Sequence, residues 1–169
     1  KILLLLTFII LSSNSLAAGN LKKLDTTKQF PILKVLDNEG KLYTLKFNKG
    51  LKNYGYVINF WATWCVPCKK ELPDLKLLKS KLKSYKIDVL TISIDQKNIE
   101  DQIIFLSKSG ASDLTHFFDK KMEVFKALKL RGIPTTIFVD KNGQIISKYE
   151  GILKWGEDKI TNEIIELFN

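Results

Sequence analysis

The sequence predicts an α/β sandwich built on a central mixed sheet, and three observations predict it. Two short apolar runs, Tyr56–Trp61 and Val89–Ile94, read as strands buried on both faces. Each is followed by a segment that reads as a helix. The C-terminal third reads as a strand, a tight turn, a second strand and a closing helix. Strand, helix, strand, helix, hairpin and helix pack as helices on a sheet whose strands run in both directions.

The elements follow in chain order. Lys1 precedes the apolar run Ile2–Leu11, then a polar stretch and the small-residue end Ser15–Gly19. A basic residue, an apolar run and small residues in that order form a secretory signal peptide over residues 1–17, cleaved before Ala18. The run is shorter than the roughly 20 residues that cross a bilayer, yet the weakly polar tail leaves an uncleaved membrane anchor as the alternative. Residues 18–169 then form one domain, since neither a linker nor an internal repeat divides them. Leu21–Phe30 reads as an irregular lead-in. Ile32–Phe47 reads as two strands around the Asn38-Glu39-Gly40 turn.

After Tyr56–Trp61 the spacing of Leu72, Leu75, Leu78 and Leu82 predicts a helix from about Cys65 to Ser84, kinked at Pro73. Val89–Ile94 is the next strand. Ile99–Ser107 and Met122–Leu130 read as helices joined by a loop around Gly110. Thr135–Val139 and Gln144–Tyr149 pair across an Asp140–Gly143 turn, and Glu157–Phe168 closes the domain through Ile160, Ile164, Ile165 and Phe168.

The formal net charge is +9, carried almost wholly by lysine, with Arg131 the single arginine. The lysines are spread along the chain rather than gathered in a stripe, which argues against a nucleic-acid partner. A diffuse basic surface still aids encounter with acidic proteins.

Chemistry concentrates in NFWATWCVPCKKELP, residues 59–73, which holds the only two cysteines, Cys65 and Cys68. A structural zinc site needs four Cys or His ligands, and beyond this pair the chain offers only His116; no metal is expected. A structural disulfide gains most by closing a long loop, and this pair closes a very short one. Redox chemistry remains. At the junction of strand and helix, the unpaired amides and dipole of the helix N-terminus favour a Cys65 thiolate, the species that attacks disulfides. Pro67 suits the first helical turn. Cys68 shares a helix face with Cys65, so the two sulfurs meet. Glu71, three residues beyond Cys68, is either a general base for its thiol or a solvated side chain near a helix start.

WCVPC after NFWAT, followed by KKELP and the distant GIPTT, resembles the TlpA/ResA group of exported thioredoxin-like thiol-disulfide oxidoreductases, nearer TlpA, over about Phe30–Phe168. The resemblance implies a thioredoxin-like three-layer sandwich with an N-terminal β-hairpin extension and a central insertion at Asp95–Asp119. It implies that Cys65 is the exposed nucleophile, Cys68 the buried resolving cysteine and Glu71 the active-site glutamate. Pro134 would be the cis proline facing the cysteines, and Ile133 would offer its backbone to an extended substrate. Trp64 and Pro67 would rim the site. One departure is Asn59, which stands where cytosolic thioredoxin has a buried Asp.

Implied partners are exported proteins with disulfides at copper-site or apocytochrome cysteines, with a lean toward the copper site, and a membrane thiol electron donor. No cofactor is implied. The implied location is periplasmic, tethered to the inner membrane only if the N-terminal segment is retained. Two rival readings are a thiol peroxidase, for which Ala62 stands in the place of a needed Thr, and a Sco-like copper carrier relying on His116.

Overall fold

A computed structural model describes residues 21–47 and 54–169. The predicted signal segment, residues 1–17, lies outside them. The described strands are β1 (Lys28–Gln29), β2 (Leu33–Leu36), β3 (Leu42–Leu45), β4 (Gly55–Trp61), β5 (Ile87–Ser93), β6 (Thr115–Phe118), β7 (Thr135–Val139) and β8 (Gln144–Glu150). The helices are α1 (Val66–Leu82), α2 (Ile99–Lys108), α3 (Glu123–Ala127) and α4 (Asp158–Phe168). Among the described residues, the strands form one sheet in the order β1-β8-β7-β4-β5-β6-β2-β3. β4, β5 and β6 run parallel, and β7 runs antiparallel to β4, so the sheet is mixed.

The two apolar runs become the centre of that sheet. In β4, Val57, Ile58, Phe60 and Trp61 are wholly buried, as are Val89 and Ile92 in β5. Strands covered on both faces need no alternation, which is why these runs read as continuous apolar stretches. The closing helix α4 reaches the start of β4 closely: a Cβ on Gly55 would lie 2.4 Å from the Phe168 ring. Any larger residue there must displace the Phe168 ring.

Leu72, Leu75, Leu78 and Leu82 are all buried on one face of α1, as their spacing requires. Pro73 lies inside the helix without ending it. The N-terminal hairpin β2–β3 turns through Asp37–Lys41, where Asp37 Oδ1 accepts the amides of Glu39 and Lys41, each at 2.9 Å. It docks on the sheet through Leu36 opposite Phe118.

Three expectations need correction. The lead-in contains β1, which pairs with β8 through Lys28 and Gln29. The loop predicted between α2 and the next helix contains β6, a parallel neighbour of β5. The helix predicted over Met122–Leu130 shrinks to Glu123–Ala127, because Met122 and Lys129 both adopt left-handed backbone, at φ 56° and 50°. Asp119 fixes the start of that short helix by accepting the amides of Glu123 and Phe125, at 2.8 and 2.9 Å.

The topology brings the C-terminal ends of β4, β5 and β6, the end of β8 and the start of β7 to one edge of the sheet. That carboxyl edge is where open α/β sheets carry their sites.

Candidate active site

Cys65 is the N-cap of α1, in extended backbone, and its Sγ accepts the amide of Cys68 at 3.3 Å. Cys65 and Cys68 are joined as a disulfide with their Cα atoms 5.3 Å apart. The expectation of an exposed nucleophile requires correction. With the two joined as a disulfide, Cys65 is only 5% exposed and Cys68 1%. The exposed surface belongs to its neighbours, Trp64 and Val66, each 61% exposed. Pro67 is half-buried in the first turn.

Glu71 is not a solvated side chain. It is 2% exposed and lies on the core face of α1 with Cys68 and Leu72. The segment after β8 covers it: the Leu153 amide donates to Glu71 Oε1 at 2.8 Å. Burial pushes the Glu71 carboxyl up to about 7, and Asp74 adds to this; the Leu153 amide and the Trp155 and Asn59 side chains pull the other way. Neither side chain closes a hydrogen bond to it, because Glu71 Oε2 and Trp155 Nε1 are both buried and unpartnered among the described residues. Asn59 instead donates through Nδ2 to Thr136 Oγ1 at 3.0 Å. A carboxyl raised to about 7, three residues from Cys68, can exchange a proton near neutral pH.

The Ile133–Pro134 peptide bond is cis. Pro134 is buried and Ile133 half-buried. Thr135, the next residue, pairs with Phe60 near the end of β4, and the Gly151 amide donates to Pro134 O at 2.9 Å. Pro134 therefore stands at the same sheet edge as the cysteine turn. Arg131 and Glu150 form an ion pair that ties the preceding loop to β8.

His116 is a packed residue in β6. Its Nδ1 meets Thr91 Oγ1 at 2.7 Å and its Nε2 meets the Ala111 carbonyl at 2.9 Å. With both ring nitrogens engaged, it offers no ligand to a copper ion. Among the described residues, no three His, Cys, Asp or Glu side chains gather as a metal cluster.

Sequence reasoning missed three residues around the site. Leu153 and Trp155 reach Glu71 from 82 residues away in the case of Leu153, a contact no local pattern encodes. Asp95 entered only as a boundary of the insertion, yet it is 3% exposed and bonded to Thr63 beside the cysteines. Its signal was legible: an acid directly after a buried strand at the carboxyl edge of a parallel sheet.

The Redoxin family model matches residues 18–165. Among curated relatives, the thiol-disulfide oxidoreductase ResA of Bacillus thuringiensis subsp. konkukian is 32% identical over 130 residues, covering 77% of this chain and 72% of that protein. The name ResA recurs in Bacillus subtilis at 27% identity over 117 residues; the relatives described here give no counterpart to the lean toward TlpA. Among solved structures, a candidate thiol:disulfide interchange protein DsbE of Chlorobium tepidum superposes with a TM-score of 0.73 at 23% identity, covering 86% of this chain and 99% of that one. The thioredoxin domain of a Bacteroides vulgatus thiol-disulfide oxidoreductase gives 0.68 at 23% identity, covering 86% and 99%. Those two likenesses establish the thioredoxin-like fold.

Proposed function

The chain belongs to the Redoxin family and is a thiol-disulfide oxidoreductase of the ResA/DsbE-like kind, and from that premise we propose that it works outside the cytoplasm, in the periplasm where the organism has one, as a reductant of disulfides in exported client proteins. The observation that carries the reading is Glu71, buried on the same helix face as Cys68 and held there by the Leu153 amide. A carboxylate with no further role would face solvent at that position, because burial penalises its charge. The position makes sense as a proton acceptor for a buried thiol.

In the reaction the Cys65 thiolate attacks one sulfur of the client disulfide. A Cys65–client disulfide forms, and the client's other sulfur leaves as a thiolate that takes a proton from solvent. Glu71 then accepts the Cys68 proton. The Cys68 thiolate attacks Cys65 Sγ, closing the Cys65–Cys68 disulfide and releasing the client's second sulfur as a thiolate. Two electrons have moved from the dithiol to the client. A membrane thiol donor returns them by the same exchange in reverse.

The helix N-terminus stabilises the Cys65 thiolate, and Cys65 is already its cap. Trp64 presents an exposed apolar face beside it, with Pro67 completing the rim and the Ile133 backbone next to Pro134 offering strand-type pairing to an extended client segment. The clients are proteins whose cysteines must be reduced before they take up haem or copper in cytochrome assembly.

The test is reduction of an oxidised apocytochrome peptide and of an oxidised copper-site peptide by residues 18–169, with the reduction potential measured in parallel. Turnover of either peptide, its loss in Cys65→Ser, and a potential near about −270 mV support the reading. A potential near about −120 mV makes the protein a disulfide donor and overturns it.

A further inference from the structure

Beside the cysteine turn lies a second buried hydrogen-bond cluster that the exchange reaction leaves unused. Asp95, directly after Ile94, accepts the Thr63 hydroxyl at 2.5 Å and the Thr63 amide at 2.9 Å, both on Oδ2. Its Oδ1 accepts the Lys97 amide at 3.0 Å. The Asp95 amide in turn donates to Ser93 Oγ at 3.1 Å, and Ser93 Oγ donates to Gln102 Oε1 at 2.6 Å. Gln102, on α2, closes the circuit by donating to Lys97 O at 2.8 Å. Asp95, Ser93, Gln102 and Thr63 are all buried.

The cluster joins two parts of the chain with different duties. Thr63 is two residues before Cys65, and the Cys65 amide closes the same turn by donating to Ala62 O at 3.1 Å. Gln102 lies on α2, within the segment Asp95–Asp119 read as the central insertion. A carboxylate taking two hydrogen bonds from one residue fixes both its backbone and its side chain. Such a bond pair is more than a strand end needs, since the Trp61 carbonyl already accepts the Ile94 amide at 3.0 Å.

We propose that Asp95 is a positioning residue for Cys65: through Thr63 it holds the turn that seats the sulfur at the N-terminus of α1, and through Gln102 it makes that seat depend on the insertion. The proposal rests on Cys65 being the attacking sulfur. Thiolate stabilisation by a helix N-terminus fades within one turn, so a loosened seat raises the thiol's pKa and slows its attack.

Three variants of residues 18–169 test it, namely Thr63→Val, Asp95→Asn and Thr63→Ser. The reduced proteins are alkylated with iodoacetamide across pH, the modified cysteine is assigned by mass spectrometry, and melting is followed alongside. Thr63→Val and Asp95→Asn are both expected to slow Cys65 alkylation at neutral pH by about threefold and to move its profile upward, while Thr63→Ser keeps the profile of the unsubstituted protein. Three results overturn the proposal. The first is lower melting points with unchanged profiles, which reduces the cluster to structural support. The second is faster alkylation in Asp95→Asn with slower alkylation in Thr63→Val, which makes the effect one of charge and not position. The third is Cys68 as the faster-modified cysteine in the unsubstituted protein, which removes the reading of Cys65 beneath it.

Discussion

Glu71→Gln is expected to stabilise the oxidised protein at alkaline pH while disabling its chemistry. The carboxyl titrates at about 7 when folded, against an ordinary 4.5. A raised folded pKa means that the folded state binds more protons between these values, so stability is highest below about 4.5 and falls as pH rises through 7. At about 1.4 kcal/mol per unit, the ionised form costs the fold about 3 kcal/mol above neutrality. Gln removes that charge and keeps an acceptor for the Leu153 amide. It also replaces Oε2 with an NH2 group beside the Trp155 indole N–H, donor facing donor, which takes back about 1 kcal/mol. The net gain at pH 8 is about 2 kcal/mol, or about 4–8 °C in Tm for a domain of this size. Near pH 4.5 the sign reverses, because only the donor clash remains. Thermal melts of both oxidised proteins from pH 4.5 to 8.5 read the effect directly. Turnover on a client disulfide should fall about 10²-fold, the contribution of a positioned proton acceptor. A variant with a lower Tm than the unsubstituted protein at pH 8, or with unchanged turnover, refutes the argument.

Further predictions concern the residues around it. His116 titrates at about 4 when folded because burial disfavours its cation, against 6.5 ordinarily; its stabilising effect is complete above about 6.5 and is lost as pH falls toward 4. Melts between pH 6.5 and 4 should therefore be nearly flat in the unsubstituted protein, where protonation of Glu71 offsets this loss. They should fall steeply in Glu71→Gln, by up to about 3 kcal/mol, and a flat profile in the variant would show that His116 does not carry it. Trp155→Phe removes a group that lowers the Glu71 pKa, so the pH profile of mixed-disulfide resolution should move upward; an unmoved profile separates Trp155 from the proton transfer. Cys68→Ser should leave the Cys65–client disulfide unresolved, visible as an adduct band on a gel run without reductant that disappears when reductant is added, and free release of client would place the resolving thiol elsewhere.

Much of the fold was legible because its signals are local. The buried runs of β4 and β5, the leucine face of α1 and the Asp140–Gly143 turn are each written within a few residues. β6 was not, because Thr115-His116-Phe117-Phe118 is too short to show a period and carries a polar pair that looks like loop. Only the pairing with β5 makes it a strand. The length of α3 was also hidden, since left-handed backbone at Met122 and Lys129 has no sequence mark. In the site, both cysteines and Glu71 were visible, but not the burial of Glu71. That burial comes from Leu153 and Trp155, which the hairpin and the β8–α4 connection deliver from the far end of the chain.

The polar residues inside the buried strands give a sharper way to read such a site. β4 carries Asn59, and β5 carries Thr91 and Ser93, in runs otherwise apolar. Buried polar groups require partners, so each of these residues announces another polar residue in contact. Thr91 finds His116, whose other ring nitrogen meets the Ala111 carbonyl, and Ser93 finds Gln102 and the Asp95 amide, so every group is partnered. Such closure specifies packing and leaves nothing free to react. Around Glu71 the accounting does not close: Oε2 and the Trp155 N–H remain unpartnered, and burial keeps the carboxyl ready to titrate near neutrality. A fold selected for stability alone would place an apolar residue there, as it does at Leu72 and Leu75 on the same face. On the function proposed above, the open group three residues from Cys68 is where the proton moves, and the closed groups near it hold the surrounding packing.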